Sequence, residues 1–313
     1  MDVAVATELG MWQRLQSDAH LAETLGSGIT FCGVADGFGS PAPREGRGRT
    51  ADRQTSTAAA ALGLVRDYLK RRHRGGSFTG RTASQASMRA LLLGALDNAN
   101  ARLYATSGSH EDFVGSGTSL TTALIVGHHA FIGHVGDARA YLLRLGRIEA
   151  LTADDAMFSE GAVTSTKSSL PAKPRPHPLL WRSLGTQAKL EASIAHVELL
   201  AGDQLVLCTD GVHRTLSVEE IGDSLAVSES ASEVVARLLA TVKMRGCIDN
   251  GTLLVARDLL IPSTTVGPKR RTLARFAIPI ASALVVVAAL MLGLYLTYGT
   301  DGRQSLTFTQ KQH

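Results

Sequence analysis

Four aspartates in this chain stand where apolar, strand-like runs break off: Asp36 in GVADG, Asp137 in GHVGD, Asp210 in LCTDG and Asp249 in CIDN. Three of them neighbour a glycine. One Asp-Gly after a strand is an ordinary turn, because glycine tolerates positive φ and aspartate caps its own backbone. Four such points within residues 1–260 suggest a shared purpose. Carboxylate oxygens are hard ligands suited to Mg²⁺ or Mn²⁺, and an adjacent glycine lets a backbone carbonyl approach an ion unhindered. Carboxylates gathered from several strand ends can hold two ions about 3.5–4 Å apart, a pair that activates a bridging water and clamps a phosphoryl oxygen. The three cysteines, Cys32, Cys208 and Cys247, have no CxxC spacing and form no zinc set with histidine. Ser116, Thr118 and Ser119 in GSGTSL lack the G-x-S-x-G elbow of a nucleophilic serine, and the Lys-Ser/Thr ending of a P-loop is missing too.

The segments that must carry these aspartates alternate in blocks. Residues 28–36 read as a strand, 51–74 as an Ala-rich helix with cations in its last turns and Gly75-Gly76 as its stop, and 83–106 as a second helix. Short apolar runs over 119–126, 130–137, 138–145 and 147–151 follow at spacings too tight for parallel crossovers, so antiparallel hairpins are expected. Residues 157–180 are loop-like. Strands resume over 192–199 and 203–209, helices over 217–226 and 230–245, and a last strand over 251–257. Helices in pairs and strands in antiparallel blocks imply an α+β layered sandwich.

The chain has 313 residues, 44% hydrophobic and 19% charged, which is globular composition. Its net charge of +4 is concentrated in RDYLKRRHR (66–74) and PKRRTLAR (268–275), with Tyr68 the one Phe, Trp or Tyr among them, so nucleic-acid binding is not expected. The opening MDVAVATELG has neither the basic start nor the apolar core of a cleavable signal. Residues 276–298 are uncharged throughout. As a helix they extend about 34 Å, enough for a hydrocarbon core of about 30 Å. Lys269, Arg270, Arg271 and Arg275 precede them and only Arg303 and Lys311 follow. The positive-inside rule then keeps the amino-terminal body in the cytoplasm and the tail outside. The expected organisation is a domain over 1–260, a basic linker over 261–275, a single transmembrane helix over 276–298 and an extracytoplasmic tail over 299–313.

Seven stretches now fall into a familiar order: RLQSDAH (14–20), GVADGFGS (33–40), GSGTSLTTALI (115–125), GHVGDARAYLLRLGRIEALTADDA (133–156), HPLLWRSLG (177–185), AGDQLVLCTDGVHRTLSVEEI (201–221) and CIDNGTLLVARD (247–258). On these the chain resembles the metal-dependent protein serine/threonine phosphatases of type 2C, in their bacterial form. The resemblance implies a four-layer α-β-β-α sandwich with two central antiparallel sheets and a metal cleft at one sheet edge. It implies hydrolysis of phosphoserine and phosphothreonine by metal-activated water, with two Mn²⁺ or Mg²⁺ ions and a third, weaker site. By position, Asp36 would bridge the two ions and the Gly37 carbonyl would join the second. Asp210 and Asp249 would hold the first ion, Asp18 would orient metal-bound waters, and Asp137 with Asp210 would form the third site.

Asp18, Asp36 and Asp210 are thus the expected catalytic residues, and Asp36, Gly37, Asp137, Asp210 and Asp249 the expected metal ligands. The implied partners are phosphorylated Ser/Thr proteins, including a cognate Ser/Thr kinase and its substrates. Three positions depart from the family pattern. Ser17 stands for the usual Glu or Gln, Gln13 for the phosphate-gripping Arg, and Ile248 for the Arg before the last Asp. They define the alternative, a pseudophosphatase that binds a phosphoprotein or a regulator without turnover.

Overall fold

The computed structural model describes residues 1–26, 28–39, 56–76, 84–109, 115–157, 179–227 and 230–257, all of them in the first of the chain's two units, Met1–Pro262. The expected span over 276–298 and tail over 299–313 lie outside the described residues. Among those described, no helix is long and apolar enough to cross a membrane.

The first half of the fold comprises β1 (Asp2–Glu8), β2 (Ala19–Gly26), β3 (Ile29–Phe38), α1 (Thr57–Arg74), α2 (Gln85–Ser109), β4 (Gly117–Val126) and β5 (His129–Val135). The second half continues with β6 (Arg139–Arg144), β7 (Arg147–Ala150), and the two-residue strands β8 (Ala156–Met157) and β9 (Leu179–Leu180). It closes with β10 (Ser193–Glu198), β11 (Gln204–Cys208), α3 (Asp210–His213), α4 (Val218–Val227), α5 (Ala231–Met244) and β12 (Gly251–Arg257). Two five-stranded antiparallel sheets result, in the orders β10-β5-β4-β3-β2 and β1-β12-β11-β6-β7.

The period of two along each central strand divides its side chains between two cores. On β3, Ile29, Phe31 and Ala35 pack with Leu62, Val65 and Leu69 of α1 and Leu92 and Leu96 of α2, while Cys32 and Val34 face the other sheet. On β12, Leu253 and Val255 pack with Val234, Leu238 and Val242 of α5, and Leu254 and Ala256 join the layer between the sheets. Three cores separate four layers, as the resemblance implied. A strand covered on both faces reads as a continuous apolar run, and a one-residue slip would exchange its two faces. With each buried Leu or Val contributing about 1.5–3 kcal/mol, the register that fixes the strand ends is strongly selected.

Some expected boundaries shift. The described part of the first helix starts at Thr57, where Ser56 Oγ accepts from Ala59 N at 3.1 Å. Four strands had no expectation: β1 and β2, each at a sheet edge and much of each only half-buried, and the two-residue β8 and β9, which pair at the two margins of the stretch expected to be loop. The expected series of hairpins also breaks once. β4–β5 and β6–β7 are hairpins, the latter turning at Leu145 (φ 50°) and Gly146 (φ 76°). Between β5 and β6 the chain instead passes from one sheet to the other. Gly136, at φ 98°, makes that crossing, and Asp137 follows it at the sheet edge. Asp210 starts α3 rather than ending a strand, and Asp249 sits in the turn before β12.

Candidate metal centre

Five carboxyl groups converge where the two sheets share an edge. Asp36 lies two residues before the end of β3, Asp18 just before β2, Asp137 in the crossing after β5, Asp210 at the start of α3 and Asp249 before β12. Their charges bear on one another. Burial first, then the charges of Asp18, Asp210, Asp249 and Asp137, push the Asp36 carboxyl well above the usual carboxylate range. Asp18 is raised to about 7 by burial and, more weakly, by Asp249, against hydrogen bonds that lower it. Asp210 is raised to about 8 by burial and by Asp137, Asp249 and Asp18, with the Arg214 charge opposing. Burial also raises Asp137, again against Arg214. Like charges this close favour a bound proton or a counter-cation.

Each member has a framework. Asp18 Oδ2 accepts from Thr209 Oγ1 at 2.8 Å and Thr252 Oγ1 at 2.7 Å, joining β2 to the ends of β11 and β12. Thr118 Oγ1 donates to the Asp36 carbonyl at 2.7 Å. Beside it, a Cβ on Gly37 would come 3.0 Å from Ser17 O and 3.2 Å from Ala58 N, so the start of α1 and the 17–18 segment close on that backbone. Asp249 Oδ1 accepts from Gln13 Nε2 at 2.9 Å and from Asn250 N at 2.8 Å. The Asn250 amide donates to Ser17 Oγ at 2.9 Å and Leu15 O at 3.1 Å, and its Oδ1 accepts from Gly10 N at 3.1 Å.

The crossing that presents Asp137 is pinned by Asp155. Its Oδ2 accepts from Gly136 N at 3.1 Å, its own N–H donates to Gly136 O at 2.6 Å, and its Oδ1 pairs with Arg182 at 2.5 Å. His213 Nε2 donates to the Asp137 carbonyl at 2.9 Å, and burial lowers that ring to about 4, so it is neutral. His134 is likewise a framework residue, between Thr121 Oγ1 and Ala153 O at 2.9 Å each. His177 lies outside the described residues.

Do these residues fit divalent cations? The donor set is all hard oxygen. Asp18 Oδ1 is buried with no hydrogen-bond donor among the described residues, so one lone-pair face there is unclaimed. Such an atom costs about 1–3 kcal/mol unless something binds it. Among the described residues, no three His, Cys, Asp or Glu side chains are drawn together tightly enough to hold an ion as they stand; the Asp18 and Asp249 carboxylates rest on the protein donors named above. The chemistry of the set fits Mn²⁺ or Mg²⁺, with Asp36 central to it.

Of the expected site residues, Asp18, Asp36, Asp137, Asp210 and Asp249 share this cluster and Gly37 lies against it. Gln13 is beside Asp249, whereas Arg14 is exposed. Thr209, Thr252, Asn250, Asp155, Arg182 and Arg214 had no place in the sequence reading. Only Arg214 left a usable signal, its i+4 spacing from Asp210, which puts both on one helix face.

A family model described as Protein phosphatase 2C matches residues 13–251. The chain is 34% identical over 204 residues to the serine/threonine protein phosphatase PstP of Mycobacterium tuberculosis, covering 58% of this chain and 38% of that protein. It is 26% identical over 265 residues to a putative protein phosphatase 2C-type of Streptococcus pyogenes, covering 82% of this chain and 98% of that one. It therefore spans well under half of the PstP sequence it matches. Among solved structures, the catalytic domain of PstP in complex with two manganese ions superposes with a TM-score of 0.58 at 26% identity, covering 81% of this chain and 96% of that one.

Proposed function

The chain belongs to the protein phosphatase 2C family, and from that premise we propose that it is a protein serine/threonine phosphatase hydrolysing phosphoserine and phosphothreonine with two Mn²⁺ or Mg²⁺ ions. The observation that carries the proposal is the five-carboxyl cluster centred on Asp36. Asp36 and the Gly37 backbone would hold both ions between them, with Asp210 and Asp249 on the first. Bound there, divalent cations supply charge neutralisation at the phosphoryl group and an acidified water for attack. Asp18 is anchored by two threonine hydroxyls and keeps Oδ1 facing inward as an acceptor for a water proton. Phe38, 36% exposed at the end of β3, supplies no proton to a leaving group. Gln13 offers a neutral amide where an arginine would grip phosphate.

The test is phosphate release from a phosphothreonine peptide with Mn²⁺, with and without EDTA. Mn²⁺-dependent release supports the reading. Peptide binding without release would favour the pseudophosphatase, for which Gln13, Ser17 and Ile248 speak. We further propose that residues 276–298 anchor the chain in the membrane with the phosphatase domain in the cytoplasm, next to a Ser/Thr kinase whose phosphorylation it reverses. The uncharged run and its preceding cations support this. Retention in the membrane pellet after carbonate washing is expected; release by carbonate would refute it.

A further inference from the structure

Asp137 and Asp210 already share a cation. α3 is a single turn, so the side chain of Arg214, four residues after Asp210, returns along the same face toward the start of the helix. Its Nη1 lies 3.1 Å from Asp210 Oδ2 and its Nη2 3.4 Å from Asp137 Oδ2. The arrangement is fixed from several directions. The Arg214 N–H donates to the Asp210 carbonyl at 2.9 Å, and the neighbouring His213 holds the Asp137 carbonyl. The Asp137 and Asp210 carboxylates are only 6% and 3% exposed, and Arg214 is itself 28% exposed.

A guanidinium stays charged at any pH the fold tolerates, and its planar fork suits two carboxylate oxygens at once. It also excludes a competitor. A Mg²⁺ or Mn²⁺ ion held by these two oxygens must sit about 2.0–2.2 Å from each. The guanidinium nitrogens already stand 3.1 and 3.4 Å from one oxygen of each carboxylate. An ion taking the same two oxygens would have to displace them.

We propose that Arg214 is a built-in replacement for the third, weaker ion, so that Asp137 and Asp210 are bridged by the protein's own charge and the chain takes up two ions rather than three. The proposal rests on the two-ion reading above. It changes the role of Asp137 from metal ligand to holder of Arg214.

The experiment counts Mn²⁺ bound per folded full-length chain in detergent, by equilibrium dialysis with elemental analysis, folding being checked by far-UV circular dichroism. Arg214→Gln and Arg214→Ala should each bind one Mn²⁺ more than wild type, weakly, and adding Asp137→Asn should remove it again. Arg214→Lys should keep the wild-type count, and Asp137→Asn alone should leave it unchanged. If neither neutral variant gains an ion, or if Asp137→Asn alone removes one from wild type, the proposal is overturned. The failure of the two-ion reading looks different: wild type then binds no Mn²⁺ tightly. A gain of one ion on removing Arg214, from a wild-type count of two, supports the replacement; a wild-type count of three overturns it.

Discussion

Replacing Gly211 with alanine tests how tightly α3 is pressed against the 249–250 turn. A Cβ at this position would lie 2.8 Å from the Asn250 carbonyl carbon and 3.1 Å from Asp249 O, with Asn250 O nearer still. These are backbone atoms and cannot swing aside. The Asn250 oxygen is the limiting contact, and restoring ordinary separation from it requires α3 to retreat by about 1 Å. Two effects compete. Alanine is better than glycine inside a helix by about 1 kcal/mol, while an added methyl in a packed site costs about 1–3 kcal/mol. Against backbone atoms this close the steric cost lies at its upper end and should prevail by about 2 kcal/mol, lowering Tm by a few degrees in a domain of this size. The retreat moves Asp210 away from Asp249, and ion-binding groups need placement to within about 0.5 Å. Mn²⁺ affinity should fall at least tenfold and kcat on a phosphothreonine peptide about 100-fold. Calorimetric titration with Mn²⁺, a melting curve and initial rates read all three. Gly63→Ala is the control, because a Cβ there meets nothing within 4 Å. If Gly211→Ala melts, binds Mn²⁺ and turns over like wild type, the close packing assigned to this contact is wrong.

Other expectations follow from the same contacts. Without metal, Asp18 and Asp210 keep protons to about 7 and about 8, whereas the unfolded chain releases them near 3.8. The metal-free fold should therefore lose stability as pH rises from about 4 through about 8; in EDTA, urea unfolding of Asp18→Asn should show a flatter slope, and an unchanged slope would contradict the burial argument. Gln13→Arg should lower KM for the phosphopeptide about tenfold with a smaller change in kcat, by adding a charged fork beside Asp249; an unaltered KM would show that position 13 does not reach the phosphate. Asp155→Ala removes the acceptor for Gly136 N and Arg182, and a loss of about 2–3 kcal/mol is expected in denaturant melts. Stability within about 0.5 kcal/mol of wild type would remove Asp155 from the frame of the crossing.

The central strands were legible because both their faces are buried, which makes each a dense apolar run. β1 and β2 were not, since short edge strands with few bulky apolar residues carry little signal until a partner is known. The partner of β1 is β12, at the opposite end of the domain. The aspartates were legible as acids at breaks in apolar runs, and their convergence follows from register. Their supports were not. Thr209 and Thr252 point at Asp18 only because β11 and β12 pair, and Asp155 reaches Gly136 only through the return of the chain after β7. Long-range hydrogen bonds of this kind leave no local periodicity. Arg214 is the intermediate case: its spacing from Asp210 was visible, whereas Asp137 as its second partner depends on a sheet-to-sheet crossing that the hairpin expectation missed.

The central claim is that the carboxyl cluster around Asp36 is one metal centre that carries hydrolysis. The most direct measurement is the rate of phosphate release from a phosphothreonine peptide by wild type and by Asp36→Ala, side by side at saturating Mn²⁺. The predicted result is Mn²⁺-dependent release by wild type and a loss of at least about a thousandfold in the variant, about 4 kcal/mol of transition-state stabilisation. Release by a folded Asp36→Ala chain within tenfold of wild type would contradict it.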